Sequence, residues 1–299
     1  MEFKLAKFEV KEIIPSSATG SDYIDWGLKA INVEEAWQKT KGKGVKVAIL
    51  DTGVNASHPD LAANIKEVAD FTGSKSGAED IQGHGSHCAG IVAGVENKLG
   101  IIGVAPQAEL YCGKVLGDNG SGSYDSILKG IKWAIEKEVD IISMSLGSST
   151  RPPEALHQLI KQAYDNNILI IAATGNENSA VCYPALYDEV IAVSAVDKSL
   201  QHASFSNHGV ENEITAPGVD IVSTYKNGGY ARLSGTSMAT PMVAGAAALI
   251  IARYRDLFNG ATPKIRSAYE ILDKMTTDLG EKGRDELYGE GIINLAMLP

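Results

Sequence analysis

Four polar residues stand in glycine-rich surroundings where chemistry can be expected. Asp51 follows the apolar run Val45–Leu50. His84 lies in Gln82-Gly83-His84-Gly85-Ser86-His87, just before the apolar stretch Cys88–Val95. Asn176 lies in Thr174-Gly175-Asn176-Glu177-Asn178, after the run Ile168–Thr174. Ser237 lies in Ser234-Gly235-Thr236-Ser237-Met238-Ala239-Thr240-Pro241, at the start of a long apolar segment. A serine hydroxyl is a poor nucleophile at neutral pH and needs a base within hydrogen-bond reach. A histidine can take that proton and return it to a leaving amine. A buried aspartate can fix the imidazole tautomer and stabilise its cation. An asparagine amide can donate to a developing oxyanion. Each residue also has a plainer use: Asp in a turn, His in a loop, Ser as a helix cap. It is the four together that point to a nucleophilic hydrolase.

These residues must be positioned by elements far apart in the chain. The runs at Val45–Leu50, Glu109–Val115, Asp140–Leu146, Ile168–Thr174 and Val190–Val196 read as strands buried on both faces, because none alternates apolar with polar. Helical periodicity marks Ser123–Glu138, Glu154–Asn167 and Met238–Phe258, the last stopped by Gly260. Strands alternating with helices predict an α/β fold: a doubly wound, mostly parallel sheet flanked by helices on both faces. In such a sheet the carboxyl ends of the strands and the helix N-termini share one rim. Asp51, His84, Asn176 and Ser237 all fall on it. No internal repeat or linker is visible. Residues 1–20 differ in character and read as an N-terminal extension to a single domain over 21–299.

Composition narrows the partners. The chain has 299 residues, 44% hydrophobic and 21% charged, which allows a large core and excludes global disorder. A net charge of −10 suits cationic partners and disfavours a nucleic-acid backbone. The three cysteines, Cys88, Cys112 and Cys182, form neither a disulfide framework nor a zinc-ligand spacing. Charged residues stand where the apolar region of a signal peptide would be. The longest apolar stretch, Met242–Ala252, is too short to cross a bilayer. The expectation is a cytoplasmic protein with no membrane or nucleic-acid partner.

The motifs Asp51-Thr52-Gly53, His84-Gly85-Ser86-His87-Cys88-Ala89-Gly90 and Gly235-Thr236-Ser237-Met238-Ala239-Thr240-Pro241 resemble those of subtilisin-like serine proteases, over roughly Trp26–Asn294. The chain order Asp, His, Ser is the subtilisin order. The resemblance implies a serine endopeptidase of broad specificity acting on protein or peptide substrates, with Asp51, His84 and Ser237 as the triad and Asn176 as oxyanion donor. It implies that the segment Leu116–Gly122, with Gly120, Ser121 and Gly122, pairs with an extended substrate. Ser145, Leu146 and Gly147 would form the opposite wall, and Thr174 and Gly175 the floor of the pocket for the residue before the cut, where large apolar or aromatic side chains are expected.

The resemblance also implies calcium. Asp60, the Asn97 side chain and the carbonyls of Val95, Leu99 and Ile101 would bind one ion, with Asp22 from the N-terminal side. The carbonyls of Ala185, Tyr187 and Val190 with Glu213 would form a second, weaker cation site. All-oxygen ligands suit Ca²⁺. Cys88 is shared with the proteinase K group, and its plainer role is a small buried apolar residue. Ile13-Ile14-Pro15-Ser16 resembles the short extension of intracellular subtilisins, which fills the cleft until it is cut. A homodimer is expected by the same likeness.

Other hydrolases match less well. An aspartic protease would need a second Asp-Thr-Gly, and an α/β-hydrolase a Gly-x-Ser-x-Gly elbow with Ser first in order. A non-catalytic peptide-binding module of the same fold would be expected to have lost one of the catalytic positions, and all are present.

Overall fold

The computed structural model describes residues 2–5, 8–14 and 21–299. Its elements in chain order are β1 (Glu2–Lys4), β2 (Glu9–Ile14), α1 (Trp26–Ala30), α2 (Val33–Trp37), β3 (Lys46–Asp51), β4 (Ile65–Asp70), α3 (His84–Ala93), β5 (Glu109–Lys114), β6 (Ser121–Ser123), α4 (Tyr124–Glu136), β7 (Ile141–Met144) and α5 (Glu154–Asp165). They continue with β8 (Leu169–Ala173), β9 (Val190–Val196), β10 (Ile214–Pro217), β11 (Ile221–Thr224), β12 (Tyr230–Ser234), α6 (Thr236–Leu257), α7 (Ile265–Lys274), β13 (Thr276–Thr277) and β14 (Ile292–Ile293).

Successive residues of the central strands serve two different cores. In β3, Val47 and Ile49 join the core that holds α3 and α6, while Ala48 and Leu50 join the one that holds α4 and α5. Likewise Leu169 and Ile171 of β8 face one layer, and Ile170 and Ala172 the other. A strand buried on both faces has no use for polar alternation, which is why the sequence shows continuous apolar runs. The nine-stranded sheet runs β13-β14-β10-β9-β8-β7-β3-β5-β4 and is parallel from β14 to β4. This is the doubly wound arrangement expected. The α6 helix is long and apolar enough to cross a membrane, but 94% of its most apolar window lies inside the molecule.

Several boundaries differ from the sequence reading, and the differences matter. Asp51 is the last residue of β3, not the one after it. His84 opens α3 and Ser237 lies in the first turn of α6, each earlier than hydropathy placed the helix. Small polar residues start both helices, so an apolar pattern cannot mark their beginnings. The sequence reading missed β4 and the short strands β10 to β14. The extension supplies β1, antiparallel to β6, and β2, antiparallel to β12. Of the segment Ile13-Ile14-Pro15-Ser16, the last two residues lie outside the described residues.

The helices that carry His84 and Ser237 pack closely on the strands. A Cβ at Gly90 of α3 would lie 2.2 Å from the Thr224 hydroxyl and 2.4 Å from that of Ser223. Those hydroxyls donate to the carbonyls of Ser86 and His87. Gly90→Ala is therefore expected to cost about 1–3 kcal/mol through overpacking, measured as a lower urea midpoint at unchanged m-value.

Candidate active site

Two glycine-containing motifs meet because their backbones touch. A Cβ at Gly85 would fall 2.1 Å from the carbonyl oxygen of Gly53, so only glycine permits the end of β3 to approach the start of α3 this closely. The Thr52 hydroxyl accepts from the Gly85 N–H at 2.9 Å. Across this junction Asp51 Oδ1 stands 2.8 Å from His84 Nδ1, with both residues essentially buried. The same Oδ1 accepts the Thr52 N–H at 2.7 Å. Burial pulls the His84 pKa down, but the charge and hydrogen bond of Asp51, with Cys88 adding to them, leave it raised well above 6.5. The pair therefore favours the imidazolium.

Ser237 reaches this pair through the shape of α6. Pro241 has no N–H to bond the carbonyl four residues earlier, which belongs to Ser237. That carbonyl instead accepts the Ser145 hydroxyl at 2.9 Å and the Cys88 thiol at 3.4 Å. The Cys88 sulfur is in turn 3.8 Å from His84 Nδ1. The proline thus turns a helix carbonyl into the tie between α6, α3 and the 145–147 wall. Cys88 is fully buried, as its small apolar character suggested. The Ser237 hydroxyl donates to the Ser145 carbonyl at 3.3 Å, and His84 Nε2 has no partner among the described residues. The bond from nucleophile to base is therefore not made in this state. The Phe8 ring lies 4.9 Å from the imidazole, centroid to centroid.

Asn176 is held by its oxygen. Asn176 Oδ1 accepts the Thr236 N–H at 2.8 Å and the Thr236 hydroxyl at 2.7 Å. This leaves Nδ2 beside Gly235, two residues before Ser237. His87, the second histidine of the motif, has a structural place. Its Nε2 faces the carbonyls of Ile221 and Ala231 at 3.1 and 3.0 Å, and burial lowers its pKa to about 3.

A cleft of about 530 Å³ runs beside one expected wall, its lining including Leu146, Gly147, Gly175 and Glu177 together with Lys4 and Leu5 of the extension. Gly120, Ser121 and Gly122 stand opposite Gly147, with β1 between them. Lys4 exchanges two backbone hydrogen bonds with Gly147, at 3.1 and 3.0 Å, and Leu5 donates to the Gly120 carbonyl at 3.1 Å. Phe3 is fully buried. Thr174, expected at the floor beside Gly175, is fully buried. It is tied to Asn207, whose amide also holds the 174–182 loop through Ala180 and Glu177. Of the extension, Glu2, Lys4 and Leu5 line the cleft, Phe8 meets the His84 ring, and the backbone of Ile13 and Ile14 pairs with β12.

Three side-chain members of the first cation set, Asp22, Asp60 and Asn97, come together. Asp22 accepts from the N–H groups of Asn97 and Lys98, at 3.3 and 2.7 Å, and Asp60 Oδ1 accepts the Asn97 amide at 2.9 Å. Among the described residues, no hydrogen bond ends on the carbonyls of Val95, Leu99 or Ile101. In the second set, Glu213 Oε2 is buried without a hydrogen-bond partner among the described residues, and burial raises its pKa to about 8. The guanidinium of Arg284 stands 3.9 Å from Oε1, and the Tyr187 carbonyl already accepts the Val190 N–H.

With this geometry in place, comparison with known proteins is decisive. The subtilase family pattern matches residues 42–291. The chain belongs to the subtilase family. It is 42% identical to subtilisin DY of Bacillus licheniformis over 91% of this chain and 97% of that one. It is 44% identical to an intracellular serine protease of Paenibacillus polymyxa over 91% of this chain and 85% of that one. It is 41% identical to subtilisin Savinase of Lederbergia lenta, over 91% and 97% of the two chains. This subtilase is a serine endopeptidase of the subtilisin type.

One positioning group of the subtilase escaped the sequence reading. Asp80 is 1% exposed, and its carboxylate accepts the Thr52 hydroxyl, the Gly83 N–H, and the N–H and hydroxyl of Ser86, at 2.7–2.8 Å. It clamps the end of β3 to the start of α3, on which the Asp51–His84 distance depends. The only signal for it was an acid four residues before the histidine. Asp80→Asn turns an amide N–H₂ toward donors and should cost about 1.5–3 kcal/mol of stability. Turnover should fall as well; urea unfolding and casein hydrolysis would measure the two losses.

Proposed function

We propose that Asp51, His84 and Ser237 form the catalytic triad of this endopeptidase, and the observation that carries the proposal is the buried 2.8 Å bond from Asp51 to His84 beside Ser237. Once the Ser237 hydroxyl turns to the imidazole, it attacks the substrate carbonyl while His84 Nε2 takes its proton. The C–N bond breaks as His84 returns the proton to the amine, and water cleaves the acyl-enzyme by the same route in reverse. Asp51 holds the tautomer and stabilises the cation throughout. Asn176 Nδ2 and the Ser237 N–H are assigned to the oxyanion; the Asn176 role is carried from the family, where subtilisin itself supplies the figure of about 2.7–4 kcal/mol for such a donor. Gly120–Gly122 and Ser145–Gly147 would hold the substrate main chain as an added strand. Two backbone walls read main chain before side chains, which supports broad specificity.

The extension is proposed as a built-in inhibitor. Its β1 segment lies where an extended substrate would pair, Phe8 covers the imidazole, and the nucleophile is turned away. Phe3 anchors it. Burying a phenylalanine is worth about 1.5–3 kcal/mol, so Phe3→Ala should raise the initial rate of casein hydrolysis roughly ten- to a hundredfold. Equal rates for the variant and the parent would refute the inhibitory role. Fluorophosphonate labelling of Ser237 in the parent should also rise with pH through a midpoint above 6.5, because Asp51 keeps His84 protonated until then.

Calcium is proposed for the first cation site. Asp22, Asp60, the Asn97 amide and the three carbonyls would hold it, and the bound ion would tie the N-terminal segment to the 95–101 loop. The 185–190 loop with Glu213 is proposed as a weaker site in which Arg284 competes. Ligand binding to the folded state alone adds about 2.7 kcal/mol at a hundred times Kd. A chelator should therefore lower the melting midpoint of the Ser237→Ala protein, and Asp60→Ala should abolish the calcium-dependent part. A midpoint indifferent to calcium would dismiss the site. The intracellular relative supports a cytoplasmic location as a further part of this reading, and the homodimer is proposed on the family likeness alone.

A further inference from the structure

One buried charge has no part in the proposed chemistry. Lys114 ends β5 beside Asp51, its register partner on β3, and is 0% exposed. An ammonium has three protons to donate, and burying it without acceptors is costly. All three protons find an acceptor here. Lys114 Nζ donates to the Thr52 carbonyl at 2.8 Å, to the Glu79 carbonyl at 2.9 Å and to Asp118 Oδ1 at 2.8 Å. Each acceptor belongs to a different part of the site. Thr52 follows Asp51, and its N–H holds the Asp51 carboxylate at 2.7 Å. Glu79 precedes the clamping residue Asp80. Asp118 lies in the segment Leu116–Gly122, which is assigned to the substrate main chain.

That segment is closed on itself. The Gly117 N–H donates to the Ser121 carbonyl and the Gly120 N–H to the Gly117 carbonyl, both at 2.8 Å, and a Cβ at Gly122 would fall 2.2 Å from the Val115 carbonyl oxygen. Its base hangs on the catalytic strand: the N–H groups of Val115 and Leu116 both donate to the Asp51 carbonyl, at 2.9 and 3.0 Å. A closed loop with one attachment can pivot, and a second attachment away from the first fixes its angle. Asp118 on Lys114 is that second attachment. The Ser76 hydroxyl donates to the same Asp118 oxygen at 2.7 Å, and the bonds from Lys114 and Ser76 hold the Asp118 carboxyl below its ordinary pKa. The β1 strand shows how narrow the tolerance on that angle is. It bonds Gly120 on one side, through Leu5, and Gly147 on the other, through Lys4, at 3.0–3.1 Å. Hydrogen bonds of this length allow a shift of only about a few tenths of an ångström.

We propose that Lys114 is a positioning residue for this endopeptidase: through Asp118 it locks the substrate-pairing segment to the backbone that carries Asp51, and so sets where the substrate main chain lies relative to the triad. The proposal rests on the endopeptidase reading and on the assignment of Gly120–Gly122 as a substrate wall. Lys114 touches no reacting atom. Its effect falls on substrates long enough to pair with the segment and much less on those that are not. A group that only stabilised the fold would treat both alike, because loss of folded enzyme removes both activities in the same proportion.

The ratio of two kcat/KM values on one protein tests this. The first substrate is a p-nitroanilide of a four-residue peptide, long enough to pair with Gly120–Gly122. The second is p-nitrophenyl acetate, whose acyl group is too small to reach them. Any share of sites covered by the extension lowers both values alike, so the full chain is used as it stands. Asp118→Ala, at a side chain 40% exposed, should lower the peptide-to-ester ratio about five- to tenfold. Asp118→Asn keeps an oxygen for the ammonium and should recover most of that loss. Lys114→Met should lower the ratio by about tenfold or more, since misplacement by about an ångström can cost about a hundredfold. Amide exchange in the Ser237→Ala protein reads the strut without catalysis. The Gly117 and Gly120 N–H groups should exchange about tenfold faster once Asp118→Ala is added, with the α6 amides unchanged. An unchanged ratio in Asp118→Ala, or exchange no faster at Gly117 and Gly120, overturns the proposal. Faster exchange in a chain whose parent cleaves neither substrate supports the strut and counts instead against the triad assignment.

Discussion

A carboxylate and an imidazole removed from water, 2.8 Å apart, are the constraint around which this molecule is arranged. Either group alone would be costly to bury. Together they stabilise the imidazolium, provided that their separation is held to within a fraction of an ångström. That separation spans two elements, β3 and α3, which nothing in the chain joins locally. The glycines at 53 and 85 let the two backbones touch, and Asp80 clamps them through four hydrogen bonds. A second buried charge supports the same floor. Lys114 is fully buried and donates to the carbonyls of Thr52 and Glu79 and to Asp118, near the substrate-binding segment.

The nucleophile is brought to this pair by a different device. The missing N–H of Pro241 leaves the Ser237 carbonyl open, and Ser145 and Cys88 fill the gap. One helix irregularity thus links the nucleophile, the histidine helix and the substrate wall. The covered state uses the same parts differently. The Ser237 hydroxyl turns to the Ser145 carbonyl while the Phe8 ring packs, tilted, against the imidazole; in the proposed mechanism one side-chain rotation separates this state from the reactive one. The terminal segment itself is held by strand pairing and by one buried phenylalanine, Phe3.

Much of this was legible in the residues. Apolar runs without alternation marked the central strands, because both of their faces are buried. Asp51, His84, Asn176 and Ser237 stood out as polar residues among glycines at strand and helix ends. The Asp22–Asp60–Asn97 grouping also comes together. Less legible were the starts of α3 and α6, where Gly, Ser and Thr hide the helical pattern, and the strands β4 and β10 to β14, which are short or half exposed. The extension was recognised as distinct, but Ile13-Ile14 drew attention from Phe3 and Phe8, whose partners lie more than a hundred residues away or across the cleft.

By itself, the sequence determined the fold class and singled out the polar residues to which the chemistry is assigned, since both follow from local pattern and from the chemistry of side chains. Only the tertiary structure decided how those groups stand to one another: that Asp80 holds the catalytic junction, that the serine is turned aside, and that the first residues of the chain lie in its own cleft. Those are matters of distance between segments remote in sequence. They depend on close packing and strand pairing, which the order of residues encodes only collectively.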